Sequence, residues 1–190
     1  MDINSICKIL KKDLDKDRFR HTIGVMYTAG SLAMANGYDI PKAMLTGLLH
    51  DCAKCLPAKE KIEICRRNHI EISDTELANP GLLHAKAGAI VAREKFGIKE
   101  NDILHAITVH TTGAPDMNIL DKIIFIADYI EPNRDKAPRL EHIRKLAFKN
   151  LDECTYEILA DTLNYLSKRS DVIDNTTRVT YEYYKQLLKE

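Results

Sequence analysis

The sequence lacks long apolar runs and carries no excess of charge of either sign. No stretch of its 190 residues approaches the roughly 18 consecutive apolar positions that a membrane-spanning helix requires. Lys and Arg together number 28, as do Asp and Glu, so the net charge indicates neither duplex nucleic acid nor a membrane surface as a partner. Residues 1–4 show no basic region leading into an apolar run, so no signal peptide is expected. We therefore expect a soluble, cytoplasmic protein.

Cysteine is sparse, and its spacing forms no disulfide framework. Five cysteines, an odd number, are typical of reduced thiols in a cytosolic protein. The segment Cys52-Ala53-Lys54-Cys55 has the spacing of a redox or zinc motif, but no second cysteine pair and no βαβ pattern accompany it. We expect Cys52 and Cys55 to be small, buried or half-buried side chains, because free cysteine is strongly inclined to burial.

Signals for β-structure are also missing, since no segment alternates apolar and polar residues and no Asn-Gly or Asp-Gly pair joins two such segments. Helical spacing dominates instead, beginning with Ile3, Ile6, Leu10 and Leu14. Gly37 is expected to end the second helix, and Asp116 to cap the helix that Pro132 stops. Further helices are predicted at about 18–36, 42–54, 58–68, 84–96, 102–110, 116–130, 139–150, 152–168 and 175–189, with a single turn at 73–78. The chain is predicted to be one all-α domain.

The pair His50-Asp51 follows an apolar helical segment, residues 43–49. An ionised carboxylate in such surroundings costs several kcal/mol or more unless it is paired or ligates a metal ion. Lys54 lies one helical turn further on, on the same face, where its ammonium group could hold a phosphate that the metal also touches. The simpler alternative is an ordinary surface pair between Asp51 and Lys54.

Asp128 interrupts a second apolar helix, residues 123–130. Only a bound ligand or an ion pair explains a carboxylate in that position, and an ion pair with Arg134 is the structural alternative. Asp121 lies two turns earlier on the same face. We expect it to form a surface pair with Lys122, with an outer contact to the metal site as the other option.

Three more histidines complete a set of metal-ligand candidates, although each has a simpler explanation when taken alone. Together, neutral imidazoles and two carboxylates are the donor mixture that divalent transition ions prefer. The six candidates are His21, His50, Asp51, His84, His110 and Asp128. The remaining histidines, His69, His105 and His142, are expected to lie outside the site. No Ser-His-Asp order, Walker loop or Rossmann glycine pattern competes with a metal-dependent enzyme.

In this order, the six residues resemble the HD-domain metal-dependent phosphohydrolases, in the branch that has two extra histidines and binds two metal ions. Four segments narrow the resemblance to the YqeK-type symmetrical bis(5′-nucleosyl)-tetraphosphatases and extend it over nearly the whole chain. They are Arg-Phe-Arg-His-Thr-Ile-Gly-Val (18–25), Leu-His-Asp-Cys-Ala-Lys (49–54), His-Thr-Thr-Gly (110–113) and Ile-Ala-Asp-Tyr-Ile-Glu-Pro-Asn-Arg (126–134). The last segment is far more specific than a lone His-Asp pair.

This resemblance implies a single HD-domain helical bundle over residues 1–190. The metal-site core would span about residues 18–134, and the helices of 139–189 would pack on it. The implied reaction is hydrolysis of diadenosine tetraphosphate to two ADP by a metal-activated water. The implied cofactor is a divalent transition metal of the iron type, one or two ions per chain. A homodimer is one of the oligomeric states left open.

The resemblance also implies roles for individual residues. Asp51 would bridge two ions, with His21, His50 and Asp128 on the first and His84 and His110 on the second. Asp51, Lys54 and Arg134 would serve catalysis. Substrate contacts would come from Arg18, His21, Asp51, Lys54, His84, His110, Thr111, Arg134 and Thr176. The chain departs from its relatives at Asp174-Asn175-Thr176, where Pro-Asp-Thr is common, and this departure leaves the C-terminal nucleotide contact open.

Two other classes of function are compatible with the His-Asp pair. One is another HD phosphohydrolase, acting on (d)NTPs, nucleoside monophosphates or cyclic dinucleotides. The other is a non-catalytic nucleotide-binding module, against which the intact set of six ligands argues. Iron, manganese, cobalt and nickel all accept this mixture of nitrogen and oxygen donors, so the sequence leaves the metal open.

Overall fold

The computed structural model describes residues 1–168 and 173–189, and every regular element within those ranges is an α-helix. The all-α prediction is therefore confirmed. The helices are α1 (Ile3–Asp13), α2 (Lys16–Ala35), α3 (Ile40–Leu49), α4 (Ala58–Arg67), α5 (Asp74–Ala78), α6 (His84–Phe96), α7 (Asn101–Val109), α8 (Ile119–Ile130), α9 (Leu140–Ala147), α10 (Leu151–Lys168) and α11 (Asn175–Leu187).

Aspartates begin the first three helices. The carboxylates of Asp2, Asp15 and Asp39 each accept a hydrogen bond from the backbone N–H three residues later. A cap of this kind is worth about 1 kcal/mol, because it satisfies an N–H that the helix leaves unpaired. At the other end of α2, Gly37 takes a left-handed conformation with φ +64°, which confirms its predicted role as the terminating glycine.

Helix α8 lies at the centre of the core and contacts α2, α3, α7, α9 and α10. Residues 123–127 on α8 are almost completely buried. Burial of a large apolar side chain contributes about 1.5–3 kcal/mol, so this run fixes α8 firmly among its neighbours. The same run holds Asp128 in place at the last turn of the helix. Helix α10 packs on α8, α9 and α11, while α6 contacts α4 and α7.

Several predicted helix boundaries are wrong, among them the end of α9, which lies at Ala147 rather than Asn150, and two of them bear on the site. Helix α3 ends at Leu49 rather than at Lys54, and residues 50–55 form consecutive tight turns. In these turns Cys52 N–H donates to Leu49 O at 3.0 Å, and Lys54 N–H donates to Asp51 O at 2.9 Å. The backbone hydrogen bonds here join residues three apart, as in a 3₁₀ turn. The prediction that Lys54 shares a face of a regular α-helix with His50 and Asp51 is therefore wrong.

The second boundary lies at α8, which Asn118 caps instead of Asp116. The Asn118 side chain accepts hydrogen bonds from the N–H groups of Leu120 and Asp121. Asp116 instead has a positive φ of 52° and accepts a hydrogen bond from the Tyr183 hydroxyl at 3.1 Å. Capping by Asn118 starts the helix three residues later than predicted.

The cysteine prediction is half right. Cys52 is buried, as expected, whereas Cys55 is exposed, because the turn that replaces the end of α3 points it outward. Burial raises the pKa of the Cys52 thiol to about 12, so it is a poor nucleophile. Among the described helices, none combines the length and the apolarity needed to cross a membrane.

Candidate metal centre and phosphate-binding site

The structure brings all six predicted ligands together from five separate segments. His21 projects from α2 and Asp128 from α8, while His84 opens α6. His50 and Asp51 follow the end of α3, and His110 follows the end of α7. Their donor atoms form two groups, each with atoms within 4.8 Å of one another: His21, His50 and Asp51, and Asp51, His84 and His110. Asp51 belongs to both groups.

The first group faces Oδ2 of Asp51. His50 Nε2 lies 3.4 Å from this oxygen and His21 Nε2 lies 3.8 Å from it. Asp128 joins this group through Oδ1, which is 3.0 Å from His21 Nε2 and 4.0 Å from His50 Nε2. Two imidazole nitrogens and two carboxylate oxygens therefore surround one point.

The second group faces the other carboxylate oxygen, Oδ1 of Asp51. His84 Nε2 lies 3.2 Å from Oδ1 and His110 Nε2 lies 3.6 Å from it. The two histidine nitrogens are 3.1 Å apart. Each oxygen of one carboxylate thus serves a different group, which is the arrangement expected of a bridging ligand.

Three of the histidines are oriented by the backbone of their own turn. In each, Nδ1 lies within hydrogen-bonding distance of the carbonyl oxygen three residues earlier. The pairs are His50 with Gly47 at 2.7 Å, His84 with Gly81 at 2.6 Å and His110 with Ile107 at 2.7 Å. A carbonyl can only accept, so Nδ1 carries the proton and Nε2 presents its lone pair to the cluster.

His21 is oriented by a side chain instead. Its Nδ1 lies 3.1 Å from Oε1 of Glu131, a residue that is 1% exposed. The other Glu131 oxygen accepts hydrogen bonds from the backbone and side-chain N–H groups of Asn133. A carboxylate behind a ligating imidazole raises its basicity and fixes its orientation. Glu131 is a functional residue that was not predicted, although it lies within the 126–134 segment, directly after an apolar helix.

The residues present fit a divalent metal ion. Among the described residues, His21 Nε2, His50 Nε2 and Asp51 Oδ1 are buried without a hydrogen-bond partner. Buried polar atoms left unpaired cost about 1–3 kcal/mol each, so a ligand that accepts their lone pairs is the natural complement. The set of neutral imidazoles and carboxylates suits a transition ion, and the cluster can hold one.

The charges within the cluster agree with metal binding. Burial lowers the pKa of His84 to about 4, so its imidazole is neutral. Burial also pushes the pKa of Asp51 upward, but His50, His110 and His84 more than offset that effect and hold the pKa well below its usual value. Neutral histidine and ionised aspartate are the protonation states in which both residues ligate metals.

Two arginines contact the carboxylates of the cluster. Arg18 Nη1 donates to Asp51 Oδ2 at 2.7 Å, and Arg134 Nη2 donates to Asp128 Oδ1 at 2.8 Å. The ion pair between Asp128 and Arg134, which was the structural alternative, is therefore present. It does not exclude the metal-site interpretation, because the same Asp128 oxygen also faces His21.

Lys54 and Thr111 lie at the second group. Lys54 Nζ is 3.0 Å from His84 Nε2 and 4.0 Å from Asp51 Oδ1, so a direct Asp51–Lys54 surface pair is not the main contact. The Thr111 hydroxyl is 3.2 Å from Nε2 of both His84 and His110. These groups stand where they could donate to an anion near the second group.

One cavity is lined by ligands of the cluster, and a second is lined by Thr111, which contacts His84 and His110. The larger has a volume of about 570 Å³ and is lined partly by Arg18, His21, Asp128 and Arg134. The smaller has a volume of about 270 Å³ and contains both Thr111 and Thr176 in its lining. The structure thus places Thr176, at the exposed start of α11, beside Thr111.

The expectation for Asp121 is wrong. It is buried, and its Oδ2 lies 3.0 Å from His105 Nδ1 and accepts a hydrogen bond from Asn118 N–H at 3.0 Å. Lys122 pairs with Asp152 instead, at 2.8 Å. Asp121 therefore helps to cap α8 rather than forming a surface pair or supporting the metal ligands. Neither ligand group includes His69, His105 or His142, as expected.

A buried lysine whose charge interacts with that of Lys54 was missed. Lys61 on α4 is 6% exposed, and its pKa is lowered first by burial and then by the charge of Lys54. Its position in the charged sequence of 58–68 gave no signal, since lysine in such a segment is normally a solvated surface residue.

Comparison with known proteins agrees with this geometry. The HD-domain profile matches residues 18–133. A Halalkalibacterium halodurans protein named symmetrical bis(5′-nucleosyl)-tetraphosphatase is 40% identical over 190 residues, covering 100% of this chain and 99% of its own length. A Bacillus subtilis protein of the same name is 37% identical over 174 residues, with 92% of both chains covered. A crystal structure from Clostridium acetobutylicum, described as a predicted HD superfamily hydrolase involved in NAD metabolism, has a TM-score of 0.94 at 37% identity and covers 98% of both chains.

Proposed function

Because this chain belongs to the HD-domain family, we propose that it is a metal-dependent hydrolase that cleaves diadenosine tetraphosphate symmetrically into two ADP. One observation carries the proposal: the two oxygens of Asp51 face two separate donor groups, with one cavity lined by His21 and Asp128 of the first group. Relatives that bear the name symmetrical bis(5′-nucleosyl)-tetraphosphatase cover nearly the whole chain and supply the substrate class.

The proposed cofactor is iron, with two ions per chain. His21, His50, Asp51 and Asp128 would hold the first ion, and Asp51, His84 and His110 the second. Metal ions bound there supply Lewis acidity, which lowers the pKa of a water molecule and neutralises phosphate charge. Two separate donor groups support two ions rather than one, and the nitrogen-rich donor set supports a transition metal over magnesium.

The cations of the chain would bind the phosphates. Arg18 and Arg134 donate to Asp51 and Asp128, which would ligate the metal ions. With metal and substrate bound, their remaining N–H groups could donate to phosphate oxygens. Lys54 would serve the phosphates on the side of the second group, where the Thr111 hydroxyl can add a hydrogen bond. Phosphoryl transfer depends mostly on positioning and on neutralising charge, which are the properties that these side chains offer.

Hydrolysis of diadenosine tetraphosphate to two ADP consumes one water molecule. Water adds to a central phosphorus, the anhydride bond between the second and third phosphates breaks, and each half leaves as ADP. The protein determines the symmetry by holding the middle of the tetraphosphate at the cluster. If the tetraphosphate were bound one phosphate further along, cleavage would instead give AMP and ATP.

Chromatographic separation of the products tests this function. Metal-replete protein incubated with diadenosine tetraphosphate should yield ADP alone. Equal amounts of AMP and ATP would contradict symmetrical cleavage. Inertness towards this substrate, together with turnover of a (d)NTP, a nucleoside monophosphate or a cyclic dinucleotide in a parallel panel, would identify another HD phosphohydrolase. Binding without any turnover would indicate a non-catalytic module.

The location, the number of domains and the binding partners of the protein stay predictions, and each can be tested separately. A cytoplasmic location, a single domain and the absence of a duplex nucleic-acid partner are expected from the sequence. Fractionation of cells, limited proteolysis and a gel-shift titration would test them in turn. A homodimer is the assembly we propose to test first, by size-exclusion chromatography with light scattering.

A further inference from the structure

The larger cavity next to the cluster extends well beyond its metal and phosphate residues, to Pro138 and Tyr165. It lies between the start of α2, the segment 128–138 and the C-terminal half of α10, and we call it the α2–α10 cavity. It shares no lining residue with the smaller cavity that contains Thr111. The α2–α10 cavity reaches His21 and Asp128 of the first donor group. The smaller cavity reaches the second group through Thr111, which contacts His84 and His110.

We propose that the α2–α10 cavity binds one nucleoside of the dinucleoside tetraphosphate, while the other nucleoside lies on the Thr111 side. This inference rests on the proposed function and specifies how the substrate lies. Cleavage at the central anhydride leaves two phosphates on either side of the scissile bond. If that bond lies at the cluster, the two nucleosides must extend in opposite directions, and each direction requires a cavity.

The α2–α10 cavity has a mixed lining, with carboxylates such as Asp17 and Asp135 that can accept hydrogen bonds from a ribose or a base, and with cations next to the cluster that suit a diphosphate. Arg18 and Arg134 lie in its lining beside the cluster, where the phosphates would enter. Its volume of about 570 Å³ falls within the usual range of about 300–1,000 Å³ for small-molecule sites. Tyr165 and Pro138 offer surfaces on which a base can stack, and base–aromatic stacking tolerates any base.

One lining residue has an unexplained polar group. The Tyr129 hydroxyl is buried and has no hydrogen-bond partner among residues 1–168 and 173–189. A tyrosine hydroxyl can donate a hydrogen bond. A buried donor in the wall of a cavity of this size points to a ligand with acceptor atoms, such as a base or ribose.

The walls of the cavity are held in place by arginines that do not belong to the metal site. Arg139 Nη2 donates to Asp161 at 2.8 Å and Arg139 Nη1 to Glu157 at 2.9 Å, which ties the start of α9 to α10. Arg144 donates to three backbone carbonyls of the 130–134 segment. Because both walls are tied down, the cavity is built before any ligand arrives, as expected of a binding site.

A cavity-filling substitution tests the assignment with a matched control. Thr162 on α10 lines the cavity, whereas Asn164 lies two residues further on the same helix and is exposed. In the metal-replete enzyme, Thr162→Trp should raise KM for diadenosine tetraphosphate by at least about tenfold, the scale of one lost base contact. It should keep metal content and inhibition by ADP, which can still bind on the Thr111 side. Asn164→Trp should resemble the wild type.

An unchanged KM in a folded Thr162→Trp protein, or an equal loss of dinucleotide turnover and ADP inhibition, would overturn the proposal. A second measurement avoids filling the cavity. The chain has no tryptophan, so Tyr165→Trp places a single indole in the cavity lining. Diadenosine tetraphosphate should quench its fluorescence saturably, and should leave the fluorescence of Asn164→Trp unchanged. Equal responses in the two proteins would reject the cavity as the nucleoside site.

The fluorescence titrations test the nucleoside site independently of the proposed hydrolysis. They can be run on chelator-treated protein, in which binding is read without turnover. If the wild-type enzyme fails to produce ADP but Tyr165→Trp is still quenched, the proposed function is wrong and the nucleoside site stands. If ADP is produced but neither tryptophan variant responds as expected, the function stands and the cavity assignment is wrong.

Discussion

At the scale of single residues, Asp51 connects the two donor groups, since no other side chain contributes to both. Asp51→Ala should therefore remove most of the bound metal from both positions, whereas loss of a ligand from one group alone would spare the other. Elemental analysis of purified protein measures this directly. His142→Ala is a suitable control, because His142 is exposed and pairs only with Glu157 in the contacts described. Unchanged metal content in Asp51→Ala would refute the bridging role.

Lys54 and Arg134 are predicted to act on phosphate charge rather than on the metal. Lys54→Ala and Arg134→Ala should each lower turnover by about 100-fold, corresponding to about 3 kcal/mol for a lost transition-state contact. Metal content should stay at the wild-type level in Lys54→Ala. Wild-type turnover in both variants would contradict the phosphate role.

Arg134 needs an additional control because it also pairs with Asp128 at 2.8 Å. If it serves mainly to hold Asp128, Arg134→Ala should lower the melting temperature and the metal content together. Arg134→Lys keeps the charge but loses the geometry of the guanidinium group, so it separates charge from directed hydrogen bonding. Paired thermal and metal measurements on both variants decide between the two roles.

Glu131 supports His21 from behind, and its removal should weaken metal binding without removing a ligand. Glu131→Gln keeps the shape but loses the negative charge next to Nδ1 of His21. Such outer contacts typically change metal affinity by about 10–100-fold. A titration with competing chelator measures the affinity, and Glu157→Gln provides as control a half-buried carboxylate that belongs to neither ligand group. Equal affinities in the two variants would remove Glu131 from the metal site.

At the scale of elements, α9 positions the segment that carries Glu131 and Arg134. Arg144 on α9 donates to the carbonyl oxygens of Ile130, Glu131 and Arg134 at 2.9, 3.0 and 2.9 Å. Hydrogen bonds from a charged group contribute about 1.5–3 kcal/mol each. Water can replace part of this at the half-buried Arg144, so Arg144→Leu, which removes all three, should lower stability by at least about 3 kcal/mol and also reduce turnover. Thermal denaturation and activity assays measure both effects.

The neighbouring Lys145 provides the control for this experiment. It is exposed, and within residues 1–168 and 173–189 it pairs only with Glu141 one turn away, a contact worth about 0.3–0.5 kcal/mol. Lys145→Leu should therefore change stability and turnover little. A similar loss in the two variants would mean that α9 matters through its charge or helicity, and not through the three carbonyl contacts.

The sequence predicted the elements better than their ends. Apolar periodicity together with helix start and stop signals predicted the helices of the described residues, since a buried stripe must recur with the helical repeat. The end of α3 was missed because the apolar pattern continues into residues 50–55, while the backbone there tightens into turns. The cap of α8 was missed for a related reason. Asn118 and Asp116 are both good caps, and only the tertiary position of the chain decides between them.

At the scale of the whole molecule, the candidate ligands could be found from the sequence because polar groups in apolar helices demand partners. Their grouping could not, since it depends on how five segments pack. The outer contacts were also out of reach. Backbone carbonyls that orient His50, His84 and His110 leave no mark in the sequence, and Glu131 resembled an ordinary helix-ending residue.

Metal binding should also stabilise the whole fold, because the cluster joins α2, α3, α6, α7 and α8. A ligand at 100 times its Kd that binds only the folded state adds about 2.7 kcal/mol. For a protein of 150–250 residues, each kcal/mol raises Tm by about 2–4 °C, so removing the metal should lower Tm by about 5–11 °C. Asp51→Ala should show almost no shift on metal removal, since it lacks the shared ligand. Thermal scans of both proteins with and without chelator test this, and equal shifts would mean that the stabilising metal binds elsewhere.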